Sequence, residues 1–76
     1  MRSKTTHKFR DLLDGLPADI QRRADDAYAQ FCNNANHPSL RFKKVHAKLP
    51  VYSARVSKDY RVVGVIKDDA ILWFWI

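Results

Sequence analysis

YRVVGVIKDDAILWFWI, residues 60–76, is the stretch whose reading decides the fold. Residues 60–67 and 70–76 are rich in β-branched and aromatic side chains and flank Asp68-Asp69, the pattern of an antiparallel hairpin closed by a two-residue loop. That loop sets Gly64 opposite Trp73, Val62 opposite Trp75 and Val63 opposite Phe74. A residue with no side chain then faces an indole and leaves room for it. Working back along the chain, residues 51–56 (VYSARV) also alternate. With Ser57-Lys58-Asp59 as a three-residue loop, Val56 meets Tyr60, Arg55 meets Arg61 and Ser53 meets Val63. Residues 41–46 (RFKKVH) form a further strand, which makes an antiparallel meander of four.

Before residue 41 the apolar period is helical. Thr5 or Thr6 is placed to cap a short helix whose Phe9, Leu12, Leu13 and Leu16 fall on one side, with Gly15 at its end. Pro17 and Asp19 suit the first turn of a second helix, in which Ile20, Ala24, Ala27, Tyr28 and Phe31 recur at the spacing of one buried face. That helix ends within residues 33–36, because Pro38 has no amide proton and biases His37 toward an extended backbone. Residues 2–4 show no strand pattern. The expected architecture is therefore α+β: an N-terminal helical hairpin packed on a four-stranded antiparallel sheet, in a single domain spanning residues 1–76.

Composition narrows the chemistry. The chain of 76 residues contains no Glu, which excludes the H-E-x-x-H zinc motif, and it has no Gly-rich phosphate loop. Cys32 is the only cysteine, so neither an intramolecular disulfide nor a cysteine zinc cluster is available, and the thiol is expected in the core of a protein from a reducing cytosol. His7, His37 and His46 are too scattered for a metal site. The longest apolar run, residues 70–76, is far short of the roughly 20 residues a membrane span needs. The expectation is a soluble cytoplasmic protein with no metal, no cofactor and no membrane partner.

Charge is concentrated in one half. Residues 1–40 balance to +1, whereas residues 41–67 carry eight Lys and Arg against Asp59 alone, a balance of +7. Such a field attracts polyanions. Within it, Arg55 and Arg61 are set opposite each other on a sheet face that also carries Val63, Val65, Leu72, Phe74 and Ile76. Like charges directly opposite repel. A phosphate held between two guanidinium forks removes the repulsion and explains the pair; side chains splayed into water, or paired with Asp59, explain it equally well from spacing alone.

The runs HPSLRFKKV (37–45), VYSARV (51–56), YRVVGV (60–65) and WFWI (73–76), behind LPADI (16–20), resemble the RelE/ParE superfamily of toxins from bacterial type II toxin–antitoxin modules, over nearly the whole chain. The resemblance implies a helical hairpin against a curved antiparallel sheet. It also implies an endoribonuclease that enters the ribosomal A site and cuts messenger RNA by attack of the 2′-hydroxyl on the adjacent phosphate. The family's basic positions fall on Arg55 and Arg61 at the scissile phosphate, and a third, Lys in some members, falls on Ser53. Arg41, Lys43, Lys44 and Lys48 are assigned to the RNA backbone, and His46 to proton transfer. The family usually opens with a strand before the helices, and WFWI is usually followed by a Gly-Ser-His segment and a Tyr that complete the catalytic set. The chain is therefore expected to lack that tail. Implied partners are a cognate antitoxin, messenger RNA and the ribosome. Alternatives are a ParE-like inhibitor of DNA gyrase and a catalytically silent RNA- or antitoxin-binding module.

Overall fold

The computed structural model describes all residues, 1–76. Its elements are β1 (Arg2–Thr5), α1 (His7–Asp14), α2 (Ala18–Asn33), a 3-10 turn (Pro38–Leu40), β2 (Lys43–Lys44), β3 (Val51–Arg55), β4 (Arg61–Lys67) and β5 (Ala70–Trp75). The sheet has five strands in the order β1-β5-β4-β3-β2 and is mixed, because β1 runs parallel to β5. The α+β class is as expected. The four-stranded antiparallel sheet is corrected to five strands by β1, whose residues alternate between exposed and half-buried without one large apolar side chain. Its inward side chains are hydroxyls: Ser3 Oγ accepts from the Trp73 indole at 3.0 Å, and Thr5 Oγ accepts from Arg10 Nε at 3.0 Å.

The last hairpin is closed by Asp68 and Asp69 with φ of 53° and 60°. Both residues lie in the left-handed region that matches a tight turn to the twist of the strands. Gly64 faces Trp73 as expected, but the ladder shifts between Val63 and Gly64, so Val63 rather than Val62 pairs with Trp75. A bulge of this kind adds one residue on one strand. In the β3–β4 hairpin the expected pairs Arg55 with Arg61 and Ser53 with Val63 both occur, and Val56 N donates to Tyr60 O at 2.9 Å around the three-residue loop. The strand expected over 41–46 shrinks to two residues, because Arg41 sits in a left-handed conformation with φ 45°.

Thr6 caps α1 by accepting from Phe9 N at 3.0 Å. The two helices diverge rather than pack as a tight hairpin, and an apolar cleft of about 300 Å³ opens between Phe9 and Leu13 on α1 and Ala24, Ala27 and Tyr28 on α2. The floor of the cleft is the core: Phe31, Leu40, Ala54, Val62 and Trp73. Phe31 meets Trp73 and Phe42 edge-on at 5.3 and 5.1 Å between ring centres, and Phe42 stacks on Tyr52 at 5.2 Å. Cys32, expected to be buried, is exposed on α2, one position past the buried Phe31. No helix is long and apolar enough to cross a membrane.

Candidate nucleic-acid interface

The helices cover one face of the sheet and leave the other open. Alternation along β3 and β4 sends Ala54 and Val62 into the core, so Ser53, Arg55, Arg61 and Val63 lie on the open face. Leu72 and Phe74 continue that face as exposed apolar surface, while Ile76 packs against the buried cluster. Across the β2–β3 ladder Lys43 pairs with Ser53, which adds a cation to the same face, whereas Lys44 pairs with Tyr52 and lies on the other.

Arg61 does not extend into solvent. Its Nε and Nη2 donate to Ser53 Oγ at 3.4 and 3.2 Å, and Nη2 also donates to the Arg41 carbonyl at 3.4 Å. The guanidinium therefore turns its Nε–Nη2 edge onto the hydroxyl of Ser53, which is only 3% exposed although it sits on the open face. Arg55 folds back so that Nε donates to Ser57 O at 3.2 Å, leaving its two terminal nitrogens unengaged. Neither arginine has a carboxylate partner. The only ion pair in the structure is His7 with Asp11, at 3.3 Å on α1. Two permanent cations thus stand at paired positions with no carboxylate within 4.0 Å, and Arg41 touches both neighbourhoods, accepting from Arg61 through its carbonyl and lining a groove with Arg55.

Arg41, Lys43, Ser53 and Arg61 are brought together by hydrogen bonds and ladder pairing, while Arg55, paired with Arg61 in the ladder, turns its side chain toward Ser57. Lys44, His46 and Lys48 do not join them. His46 lies past the end of β2, in the loop before β3. Its Nδ1 accepts from the backbone amides of Lys48 at 3.1 Å and Leu49 at 2.9 Å, so it closes the loop before β3 and only Nε2 is left for other chemistry. His37 is a turn residue, as its place before Pro38 predicts: Nδ1 accepts from Ser39 N at 3.2 Å and lies 2.8 Å from Ser39 Oγ. Two cations escaped the sequence reading. Arg23 of α2 and Lys58 of the β3–β4 loop join Arg41 and Arg55 around a shallow groove of about 430 Å³. Arg23 gave no signal, because its place on a helix more than 30 residues from Arg55 says nothing of the sheet edge it reaches.

Among curated proteins none has significant sequence similarity to this chain. Solved structures do share its fold. RelE in the RelE–RelB complex of Pyrococcus horikoshii OT3 is 24% identical with a TM-score of 0.71, over 97% of this chain and 89% of that one. The toxin in the RelB–RelE complex of Methanococcus jannaschii is 22% identical with a TM-score of 0.72, over 95% and 85%. The YoeB/ParE toxin of Agrobacterium tumefaciens is 11% identical with a TM-score of 0.76, over 99% and 94%. At this level of identity the likeness is one of fold. The family model of the ParE-like toxin domain matches residues 18–76, which take in α2, the basic half and every strand except β1. The chain belongs to the ParE-like toxin domain family.

Proposed function

We propose that this toxin is a ribosome-dependent endoribonuclease that cuts messenger RNA in the A site, as RelE-type toxins do. The observation that carries the reading is the directly paired, carboxylate-free Arg55 and Arg61 on the open sheet face. In the reaction the 2′-hydroxyl gives up its proton to water as its oxygen attacks the adjacent phosphorus, the P–O5′ bond breaks with the leaving oxygen taking a proton from water, and the products are a 2′,3′-cyclic phosphate and a 5′-hydroxyl. Negative charge accumulates on the phosphoryl oxygens as the fifth bond forms. Two guanidinium groups with free N–H donors supply the electrostatic stabilisation that this step needs. Ser53 holds the Nε–Nη2 edge of Arg61, leaving Nη1 free to donate, and Lys43, opposite Ser53, adds a third positive charge beside it. His46, whose Nδ1 is held by the loop before β3, is assigned to the RNA backbone with Lys48 rather than to proton transfer.

The structural neighbours from Pyrococcus horikoshii and Methanococcus jannaschii are RelE in complex with RelB, and a Staphylococcus aureus neighbour is YoeB with YefM. They support a cognate antitoxin as the partner of this chain, with an acidic segment suited to the basic open face.

The test is cleavage of a defined message in a purified translation system, compared with the same message free of ribosomes. Cuts confined to translated message support the reading, and intact message in both arms refutes it. The ParE-like family model keeps gyrase inhibition as the second reading. Loss of supercoiling activity of purified gyrase, with message intact, would establish it in place of the first.

A further inference from the structure

We infer that the groove between α2, the 3-10 turn and the β3–β4 loop is a second RNA-backbone subsite, which holds a phosphodiester flanking the one gripped by Arg55 and Arg61. The inference rests on the RNA reading above and extends it to residues outside the family's basic face. The groove is lined by Arg23, Arg41, Arg55 and Lys58 together with Ser39 and Ser57. Three separate elements deliver these cations to one depression, and no carboxylate lines it. α2 carries Asp19, Asp25 and Asp26 around Arg23, yet none of them comes within 4.0 Å of its guanidinium. The side chains of Arg23, Arg41 and Lys58 make no hydrogen bond within the protein, and two nitrogens of Arg55 are also free. Four cations, none with a carboxylate within 4.0 Å, repel one another around one concavity, and an anion relieves that repulsion.

Arg41 links the two subsites. It takes the left-handed backbone, φ 45° and ψ 43°, rare for a residue with a side chain. In that conformation its carbonyl accepts from Arg61 while its side chain lines the groove beside Arg55. A strand of RNA crossing the open face at Arg61 therefore meets a continuous run of guanidinium groups round the sheet edge. The lining favours phosphate over an acidic polypeptide. Val56 is the only large apolar residue in it, with Pro38 at one side, so the buried apolar anchors that hold a peptide are missing. Guanidinium forks match phosphate oxygens, and the Ser57 hydroxyl is unengaged, whereas that of Ser39 is bound to His37.

The experiment is fluorescence anisotropy of the full chain with a labelled single-stranded 2′-O-methyl RNA, which cannot be cleaved, over a series of KCl concentrations. Arg23→Ala/Lys58→Ala is expected to bind more weakly, with a salt slope shallower by about 0.7, the contribution of one phosphate on a single strand. Arg23→Lys/Lys58→Arg is expected to match wild type, which separates charge from folding. Wild-type affinity and slope in the double alanine variant overturn the inference. So does a variant that binds RNA normally but loses an oligoglutamate peptide, since the groove then serves an acidic protein. If wild type leaves translated message intact while the double alanine variant shows the shallower slope, the nuclease reading falls and the groove stands. If Arg61→Ala abolishes cleavage while the double alanine slope is unchanged, the groove falls alone.

Discussion

Gly64→Ala tests the β4–β5 register and the inward face of β4, the strand whose alternation sends Arg61 to the open face. A Cβ at position 64 would sit 2.7 Å from Trp73 Cε3, 2.9 Å from Ile71 Cγ1 and 3.0 Å from the Leu72 carbonyl oxygen. Carbon atoms in contact prefer about 3.5–4.0 Å, so the indole must retreat by close to 1 Å. It has nowhere to go: Trp73 is 3% exposed, Ile71 is fully buried, and the carbonyl belongs to the neighbouring strand. Overpacking of this sort costs about 1–3 kcal/mol, and the lower chain entropy of Ala in the unfolded state returns about 0.4–1 kcal/mol. The net expectation is a loss of about 1–2 kcal/mol, or a fall in Tm of about 4–16 °C for a domain of this size. Gly15→Ala is the control. There a Cβ meets nothing nearer than the Leu12 carbonyl oxygen at 3.6 Å, and φ is −83°, so Ala is expected to be neutral or stabilising by up to about 1 kcal/mol. Urea titration followed by tryptophan fluorescence and circular dichroism measures both. Gly64→Ala as stable as wild type would refute the pairing of residue 64 with Trp73 and, with it, the register of the hairpin.

Ser3→Ala removes the acceptor of the buried Trp73 indole N–H and is expected to cost about 1–3 kcal/mol, with faster amide exchange along β1; unchanged exchange would mean that backbone pairing alone holds this strand. Asp69→Gly relieves a left-handed backbone at φ 60° and is expected to raise stability by about 0.5–1 kcal/mol, read as a higher urea midpoint. Ser53→Ala frees the Arg61 fork from two of its three contacts, at a cost of about 0.5–1.5 kcal/mol in stability. It should slow message cleavage, and Ser53→Thr, which keeps the hydroxyl, should restore it.

What was legible in the sequence was what side-chain periodicity encodes. Of the α2 face expected to be buried, Ile20, Ala24 and Phe31 are buried and Ala27 half-buried, whereas Tyr28 is exposed at the cleft between the helices, and the hairpin pairing of Arg55 with Arg61 follows from loop length and alternation. β1 was invisible because an edge strand with hydroxyls on its inward side needs no apolar residue. The bulge at Val63 was invisible because a one-residue ladder shift leaves the pattern of large and small residues almost unchanged. The left-handed turn at Arg41 delays the expected strand to Lys43, and nothing in the alternating run 41–46 signals it. At the site, pairing located Arg55 and Arg61 but not their reach. That Arg61 lies over Ser53, and that Arg23 arrives from the helical layer, are matters of tertiary geometry.

Toeprinting of a ribosome-bound message exposed to wild type, Arg55→Ala or Arg61→Ala is the most direct test of the arginine pair. Wild type should cut within the A-site codon and leave a 2′,3′-cyclic phosphate, and each alanine variant should slow that cut by about 10²–10³-fold, the usual effect of removing one donor from a charged transition state. Cleavage by both variants at the wild-type rate would show that these guanidinium groups do not touch the reacting phosphate.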